Sequence, residues 1–206
     1  MHPRLFHSFL AVIVALATTP MVACSAYSEG DVQPGCTDGS CVIVTGMPVP
    51  SDGRDISFGN IATNESSSEP ATLISVTLIE PVGIKLVDSF TVPPDHQIGI
   101  GLPIPPVPAD NTPDIAGTAF DIIANWAMRA PLAGSVIVPG DALQLVLILR
   151  PTSQDTCRTA KGFNLTYMQG GHRCSVDANM AMYLFDGHDA SICNDSEKYL
   201  QDHPLR

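Results

Sequence analysis

A segment near the carboxyl terminus, GGHRCSVDANMAMYLFDGHDASIC, concentrates side chains that bind soft metal ions. Its candidate ligands are His172, Met180, Met182 and His188, with Cys174 two residues after the first histidine. Imidazole, thioether and thiolate groups together suit copper, but the Cys, His, Met order of blue-copper ligands at short spacing is absent. The same residues fit a fold without metal, in which methionines fill the core and histidines lie in loops. Copper-type metal handling is therefore the alternative hypothesis.

The amino-terminal segment has the features of an exported precursor. Arg4 precedes the apolar run FLAVIVALA, residues 9–17, which is far shorter than the roughly 20 residues that cross a bilayer. Thr18, Thr19 and Pro20 then interrupt any helix before the sequence MVAC, which ends at Cys24. This sequence resembles the lipobox of bacterial lipoproteins, where a small residue precedes an invariant cysteine.

The lipoprotein resemblance implies a processing pathway and a location. A signal peptide of residues 1–23 would be removed, Cys24 would carry a diacylglycerol, and the new amino terminus would be acylated, for example with palmitate. Two or three acyl chains hold a protein stably at a membrane, here the outer face of the cytoplasmic membrane, or the outer membrane if the host has one. The residues also allow ordinary secretion with cleavage after a small residue such as Ala17, which leaves Cys24 as one more thiol.

The remaining cysteines predict disulfide bonds, because exported thiols tend to pair. With Cys24 used for lipid, five candidates remain: Cys36, Cys41, Cys157, Cys174 and Cys193. The first two flank the turn sequence TDGS, so we expect them to bond to each other. In the carboxyl-terminal half we expect Cys193 to bond to Cys157 or to Cys174, which leaves one thiol free and buried.

Composition and motifs argue against several functional classes. The chain has 206 residues, 21 acidic against 10 basic, and a formal net charge of −11. This balance disfavours nucleic-acid binding and unaided binding to anionic lipid. The sequence contains no G-x-S-x-G, no H-E-x-x-H, no phosphate loop and no dinucleotide fingerprint. We therefore expect no enzymatic activity and no cofactor, but a binding or surface role for an unidentified protein or small-molecule ligand.

The elements that position these residues follow a period of two, which predicts β-strands. Alternating or apolar runs occur at residues 55–63, 71–80, 83–92, 142–150, 161–169 and 180–185. Turn sequences separate them at roughly ten-residue spacing, which predicts an antiparallel immunoglobulin-like β-sandwich of about seven to nine strands. The expected organisation is a lipidated flexible tether at 24–41, a sandwich at 42–185 and a polar tail at 186–206 with a short helix. The order of segments over 56–185 is faintly similar to uncharacterised secreted sandwich proteins of actinobacteria.

Two residues stand out within this pattern. Asp88 interrupts the face that Ile84, Leu86, Phe90 and Val92 would share, and an edge position or an arginine partner explains it better than catalysis. Trp126 is the only tryptophan of the chain. We expect it to plug the sandwich core or to shield one end, and a ligand-stacking role stays open.

Overall fold

The computed structural model describes residues 32–35, 43–96, 98, 100–105, 122–187 and 189–205. Within these ranges the chain forms thirteen β-strands, two α-helices and one short 3-10 helix. No helix among the described residues is long and apolar enough to cross a membrane. The predictions for the signal peptide, Cys24, Cys36, Cys41 and His188 lie outside the described residues.

The first layer is an antiparallel sheet centred on a strand that is apolar on both faces. In spatial order it contains β1 (Val32–Pro34), β3 (Asp55–Asn64), β9 (Ala142–Pro151), β5 (Ile84–Val92) and β7 (Ala130–Pro131). A short strand, β6 (Pro103–Ile104), pairs with the beginning of β3. Leucines at alternate positions of β9 face the second layer, which is the arrangement that the period of two predicts.

The second layer is built on one long hairpin. β10 (Cys157–Ala160) and β11 (Gly162–Gln169) run to a turn at two glycines, and β12 (His172–Ala178) and β13 (Met180–Asp186) return beside them. The β11 half pairs with β4 (Ala71–Ile79), which in turn pairs with β8 (Val136–Ile137). The β13 half pairs in parallel with β2 (Ile43–Val49), the one parallel pair among the described strands.

The two layers enclose one apolar core, so the predicted β-sandwich is confirmed. Eight strands have seven or more residues, within the predicted number. Phe58 of the first layer meets Phe163 of the second edge to face, with ring centroids 6.5 Å apart. Such a pair contributes about 0.5–1.5 kcal/mol beyond the area that it buries.

Each layer is also covered on its outer face. Val146 and Ile148 of β9 lie under Ile98, Leu102 and Trp126. The outer face of β13 lies under the 3-10 helix Ala190–Cys193 and helix α2 (Asn194–Asp202), with these residues in contact: Ala181, Tyr183, Phe185, Cys193 and Leu200. We call the first cover the α1 cap (Ile98, residues 100–104 and 122–129, with helix α1 at Ile122–Ala127) and the second the α2 cap (residues 189–205).

The predicted flexible tether contains a short strand. Val32–Pro34, assigned to the tether 24–41, pairs with β3, and Val32 is fully buried. Three residues are too few to show a period, so the sequence pattern gave no sign of this strand. The short helix predicted for the tail at 186–206 is confirmed as α2, and Cys193 and Leu200 of the described residues 189–205 lie in an apolar cluster.

The predicted single apolar face of β5 is wrong, because the strand contains a β-bulge. The pairing register with β9 shifts between Leu86 and Asp88. One extra residue exchanges the two faces of every later position. Ile84 and Leu86 therefore belong to the main core, whereas Phe90 and Val92 belong to the α1 cap cluster.

Candidate functional site

The α1 cap presents an arginine stacked on aromatic rings at the surface. The Arg129 guanidinium carbon lies 4.2 Å from the ring centroid of Trp126 and 5.4 Å from that of Phe90. The two rings meet edge to face, with centroids 5.5 Å apart. Met128 beside them is 51% exposed. We call these four residues the Arg129 platform.

The local sequence explains why the platform forms. Trp126 and Arg129 are three residues apart, a spacing that brings side chains together on a helical turn. Helix α1 ends before Pro131, since proline cannot continue a helix and forces an extended conformation on the residue before it. Ala130 then pairs with Thr91 of β5, which sets the end of α1 directly beside Phe90.

The Arg129 guanidinium has more N–H donors than the platform uses. Arg129 Nη1 donates to the Trp126 carbonyl at 2.7 Å, whereas a guanidinium has five N–H donors. Arg54, Arg150 and Arg158 each pair with a carboxylate, but no salt bridge of Arg129 occurs among the described residues. Stacking on aromatic rings also orders the side chain before any ligand binds. This arrangement can accept a carboxylate beside an apolar methionine.

A second charged cluster is structural. Arg158, only 4% exposed, donates two hydrogen bonds to Asp186 at 2.9 and 3.1 Å and one to the Ser153 carbonyl. Hydrogen bonds from Arg158 hold the pKa of Asp186 below its ordinary value. The pair joins β10 to β13 at the base of the α2 cap. The Arg158 guanidinium donates to Asp186 and to the Ser153 carbonyl, so few of its N–H donors remain for a ligand.

The predicted copper ligands are not brought together. Met180 and Met182 lie in the main core, whereas His172 is exposed at the far end of the hairpin. His172 and Met180 begin two successive strands, β12 and β13, and the eight residues between them extend to at most about 26 Å. No group of three or more His, Cys, Asp or Glu residues within the described ranges could hold a metal ion.

The cysteine predictions have a mixed outcome. Cys193 bonds to Cys157, one of its two predicted partners. Cys174 is buried as expected but is disulfide-bonded, so the prediction of a free thiol there is wrong. Its partner is a cysteine outside the described residues, because Cys157 and Cys193 are bonded to each other.

The two outlying residues of the sequence pattern have structural explanations. The bulge in β5 places Asp88 at the surface, where its carboxylate accepts a hydrogen bond from the Ser89 amide at 2.8 Å. Trp126 shields the outer face of the first layer. Arg129 was not predicted as a site residue, although its three-residue spacing from the only tryptophan of the chain was a usable signal.

Comparison with known proteins identifies no family. No family model and no curated protein matches the chain. Among solved structures, PapD-like domain 7 of human CEP192 matches at 6% identity and TM-score 0.37, covering 88% of this chain and 99% of that domain. The VesB protease of Vibrio cholerae matches at 9% identity and TM-score 0.34, covering 77% of this chain and 32% of the protease, so the chain spans about a third of that protein. The fold assignment depends on the chain's own strands.

Proposed function

We propose that this chain is an exported protein with a non-enzymatic binding role in the cell envelope. The observation that carries the proposal is the Cys157–Cys193 disulfide, which fastens the α2 cap to the sandwich. Such bonds persist in oxidising compartments and are rare where glutathione and thioredoxin keep thiols reduced. Export alone accounts for the bond, so this proposal does not depend on the predicted lipid at Cys24.

The Arg129 platform is the proposed contact surface. Its guanidinium is stacked on Trp126 and has no carboxylate partner among the described residues. We expect it to bind a carboxylate-bearing partner, with Met128 and the edge of Phe90 supplying apolar contact. Metal handling is not retained as a second function, since Met180 and Met182 are packed in the main core.

Export is tested by the thiol state in living cells. The full chain is expressed in an exporting bacterium, thiols are blocked by acid quenching and alkylation, and peptides are analysed by mass spectrometry. We expect Cys157 and Cys193 to be recovered as a bonded pair in the extracytoplasmic fraction. Recovery of both as alkylated thiols in the accumulated protein would contradict the proposal.

Binding at the platform is tested by the fluorescence of Trp126, the only tryptophan of the chain. A short polyglutamate peptide is titrated into the purified oxidised protein, with polylysine as the charge-reversed probe. We expect a saturable change with polyglutamate only, and its loss in Arg129→Gln. The matched control is Arg173→Gln, which removes an exposed arginine on β12 and should leave the titration unchanged. An equal loss in both variants would show only a net-charge effect and would contradict the assigned surface.

A further inference from the structure

The hydrogen-bond donors that Arg129 leaves free define the class of its partner. Nη1 donates to the Trp126 carbonyl at 2.7 Å, whereas the edge formed by Nε and Nη2 makes no hydrogen bond among the described residues. That edge carries two parallel N–H groups, which is the arrangement that binds both oxygens of a carboxylate. We propose that it holds an acidic side chain of a protein partner, with an apolar residue of that partner against Met128. This assignment, which rests on the proposed function, names the ligand of the Arg129 platform and its binding geometry.

The pair of Arg150 and Asp55 shows the expected contact within the same chain. Nε and Nη2 of Arg150 donate to the two carboxylate oxygens of Asp55 at 2.6 and 2.8 Å. The side chain of Arg150 is 47% exposed, so an arginine at the surface of this fold binds a carboxylate side-on. Arg129 has no such partner among the described residues. The proposal places the carboxylate of this second pair on another molecule.

Two aromatic rings hold the Arg129 guanidinium in position for the contact. Its central carbon lies 4.2 Å from the ring centroid of Trp126 and 5.4 Å from that of Phe90. A side chain that is already ordered loses less conformational entropy when a ligand binds. Lysine carries its charge on a compact ammonium without the planar fork of arginine. The site therefore requires the shape of arginine in addition to its charge.

The neighbouring sheet edge does not accept the partner as an added strand. Strand β7 consists of Ala130 and Pro131, which pair with Thr91 and Phe90 of β5. Pro131 has no N–H group, and its carbonyl accepts a hydrogen bond from Ser135 Oγ at 2.8 Å. An added strand needs free backbone donors and acceptors along the edge. The partner therefore binds through its side chains.

The exposure of the site favours a protein partner over a free organic acid. Every residue from Ala127 to Pro131 is exposed, and Met128 is 51% exposed. Sites for small molecules are concave and bury about 70–90% of the ligand surface, which an exposed segment does not do. Arginine, methionine and aromatic residues are instead enriched in protein interfaces. Met128 then supplies the contact for an apolar neighbour of the acidic residue.

The charge of the site favours a carboxylate over a phosphate. Arg129 is the single basic residue of the platform, and the chain has a formal net charge of −11. A phosphorylated side chain carries a charge of about −1.5 to −2 and is bound opposite clusters of arginines. One guanidinium matches the single charge of a carboxylate.

Fluorescence titration with short peptides tests the ligand class. The full oxidised protein is titrated with the peptide Glu-Leu-Gly-Ser-Glu-Leu, blocked at both ends, and Trp126 reports binding as the only tryptophan. We expect saturable binding, and an affinity at least about fivefold lower for Gln-Leu-Gly-Ser-Gln-Leu, which lacks the charged acceptor. A smaller difference would overturn the carboxylate assignment. Displacement of the acidic peptide by acetate or inorganic phosphate at equal concentration would overturn the assignment of a protein partner.

The variant Arg129→Lys separates the geometry of the contact from its charge. The positive charge is kept, and we expect the affinity for the acidic peptide to fall by at least about fivefold because the fork is lost. The matched control is Arg173→Lys, which changes an exposed arginine on β12 and should bind like the parent chain. Circular dichroism of both variants should match that of the parent. A smaller fall in Arg129→Lys would contradict side-on binding.

The variant Met128→Ser tests the apolar half of the contact. The parent should bind Glu-Leu-Gly-Ser-Glu-Leu at least about threefold more tightly than Glu-Ser-Gly-Ser-Glu-Ser, and Met128→Ser should lose this preference. A preference that survives in the variant would contradict the role of Met128. If polyglutamate does not bind the parent chain, the proposed contact surface fails together with this inference. If polyglutamate binding is lost in Arg129→Gln but is unchanged in Arg129→Lys, this inference alone fails.

Discussion

The α1 cap and the α2 cap cover opposite outer faces of the sandwich, and they are fastened by different means. The α2 cap is held by the Cys157–Cys193 bond and by a hydrogen bond of 2.9 Å from the Tyr183 hydroxyl to Glu197. Burial, aided by the Glu197 carboxylate, raises the pKa of Tyr183 further above neutral pH, where a tyrosine hydroxyl is already protonated and can donate. The described residues of the α1 cap include no cysteine, so no disulfide holds this cap. Gln144 instead bonds both backbone groups of Ile98, at 2.7 and 2.8 Å.

The difference follows from the position of each cap in the chain. Among the described residues, the chain joins the α2 cap to the sandwich only through β13, so the disulfide supplies a second connection. The α1 cap is internal and is continuous with β5 on one side and β7 on the other, so chain connectivity already limits its excursions. Each cap buries the outer apolar face of a strand, because β9 and β13 are apolar on both faces. The following variants test whether fastening, and not burial alone, distinguishes the two caps.

The largest effect is expected from removing the disulfide of the α2 cap. The variant Cys157→Ser/Cys193→Ser opens a loop of 36 residues, which should lower the free energy of unfolding by about 3–4 kcal/mol. Guanidinium denaturation measures this change, and hydrogen exchange should show faster exchange in residues 189–205 but not in 122–129. Equal acceleration in both caps would contradict separate fastening.

A smaller loss is expected from the apolar contact of α2. Leu200 is 2% exposed against Tyr183 and Phe185, so Leu200→Ala should cost about 2–3 kcal/mol through lost burial and a partly collapsed cavity. Its exposed neighbour provides the control, since Gln201→Ala should change stability by less than about 0.5 kcal/mol. Comparable losses in both variants would show that Leu200 is not buried as described.

The corresponding test of the α1 cap is Gln144→Ala. This change leaves the Ile98 amide and carbonyl without their buried partner and should cost about 1–2 kcal/mol. Hydrogen exchange should accelerate in residues 98–104 and stay unchanged in the α2 cap. The control Gln154→Ala removes an exposed glutamine and should have no measurable effect on either cap.

The smallest effect concerns pH at the base of the α2 cap. Hydrogen bonds from Arg158 lower the folded-state pKa of Asp186 from 3.8, so its stabilisation is present above that value and is lost as the pH falls through the folded pKa. The carboxylate is half exposed, which limits the effect to less than about 1 kcal/mol. Asp186→Asn should lose less stability between about pH 6 and pH 2 than the parent chain. Asp155→Asn removes one exposed carboxylate elsewhere and serves as the control for net charge.

Much of the sandwich could be predicted because its strands carry strong local patterns. The alternating leucines of ALQLVLILR predicted a central strand, and β9 is central with both faces covered. The candidate site was less accessible to sequence reasoning. Arg129 and Trp126 are close in sequence, but Phe90 joins them only because β5 pairs with β7 after the bulge. Asp88 interrupts the alternation of GIKLVDSFTV at the bulge, but one polar residue does not distinguish a bulge from an edge position or an arginine partner.

The sequence by itself determined which side chains are buried. The period of two marked the inner faces of the strands, the apolar runs marked the strands that are buried on both faces, and the cysteine pattern predicted that Cys193 is disulfide-bonded. Only the tertiary structure decided what each of these residues packs against. The preference for burial is a property of each side chain. The segment against which a side chain packs depends on which distant segments compete for the same surface. Val32–Pro34 is a strand because the edge of β3 is open beside it, and residues 189–205 are a cap because β13 has a second apolar face. Those two surfaces exist only after the sandwich has folded.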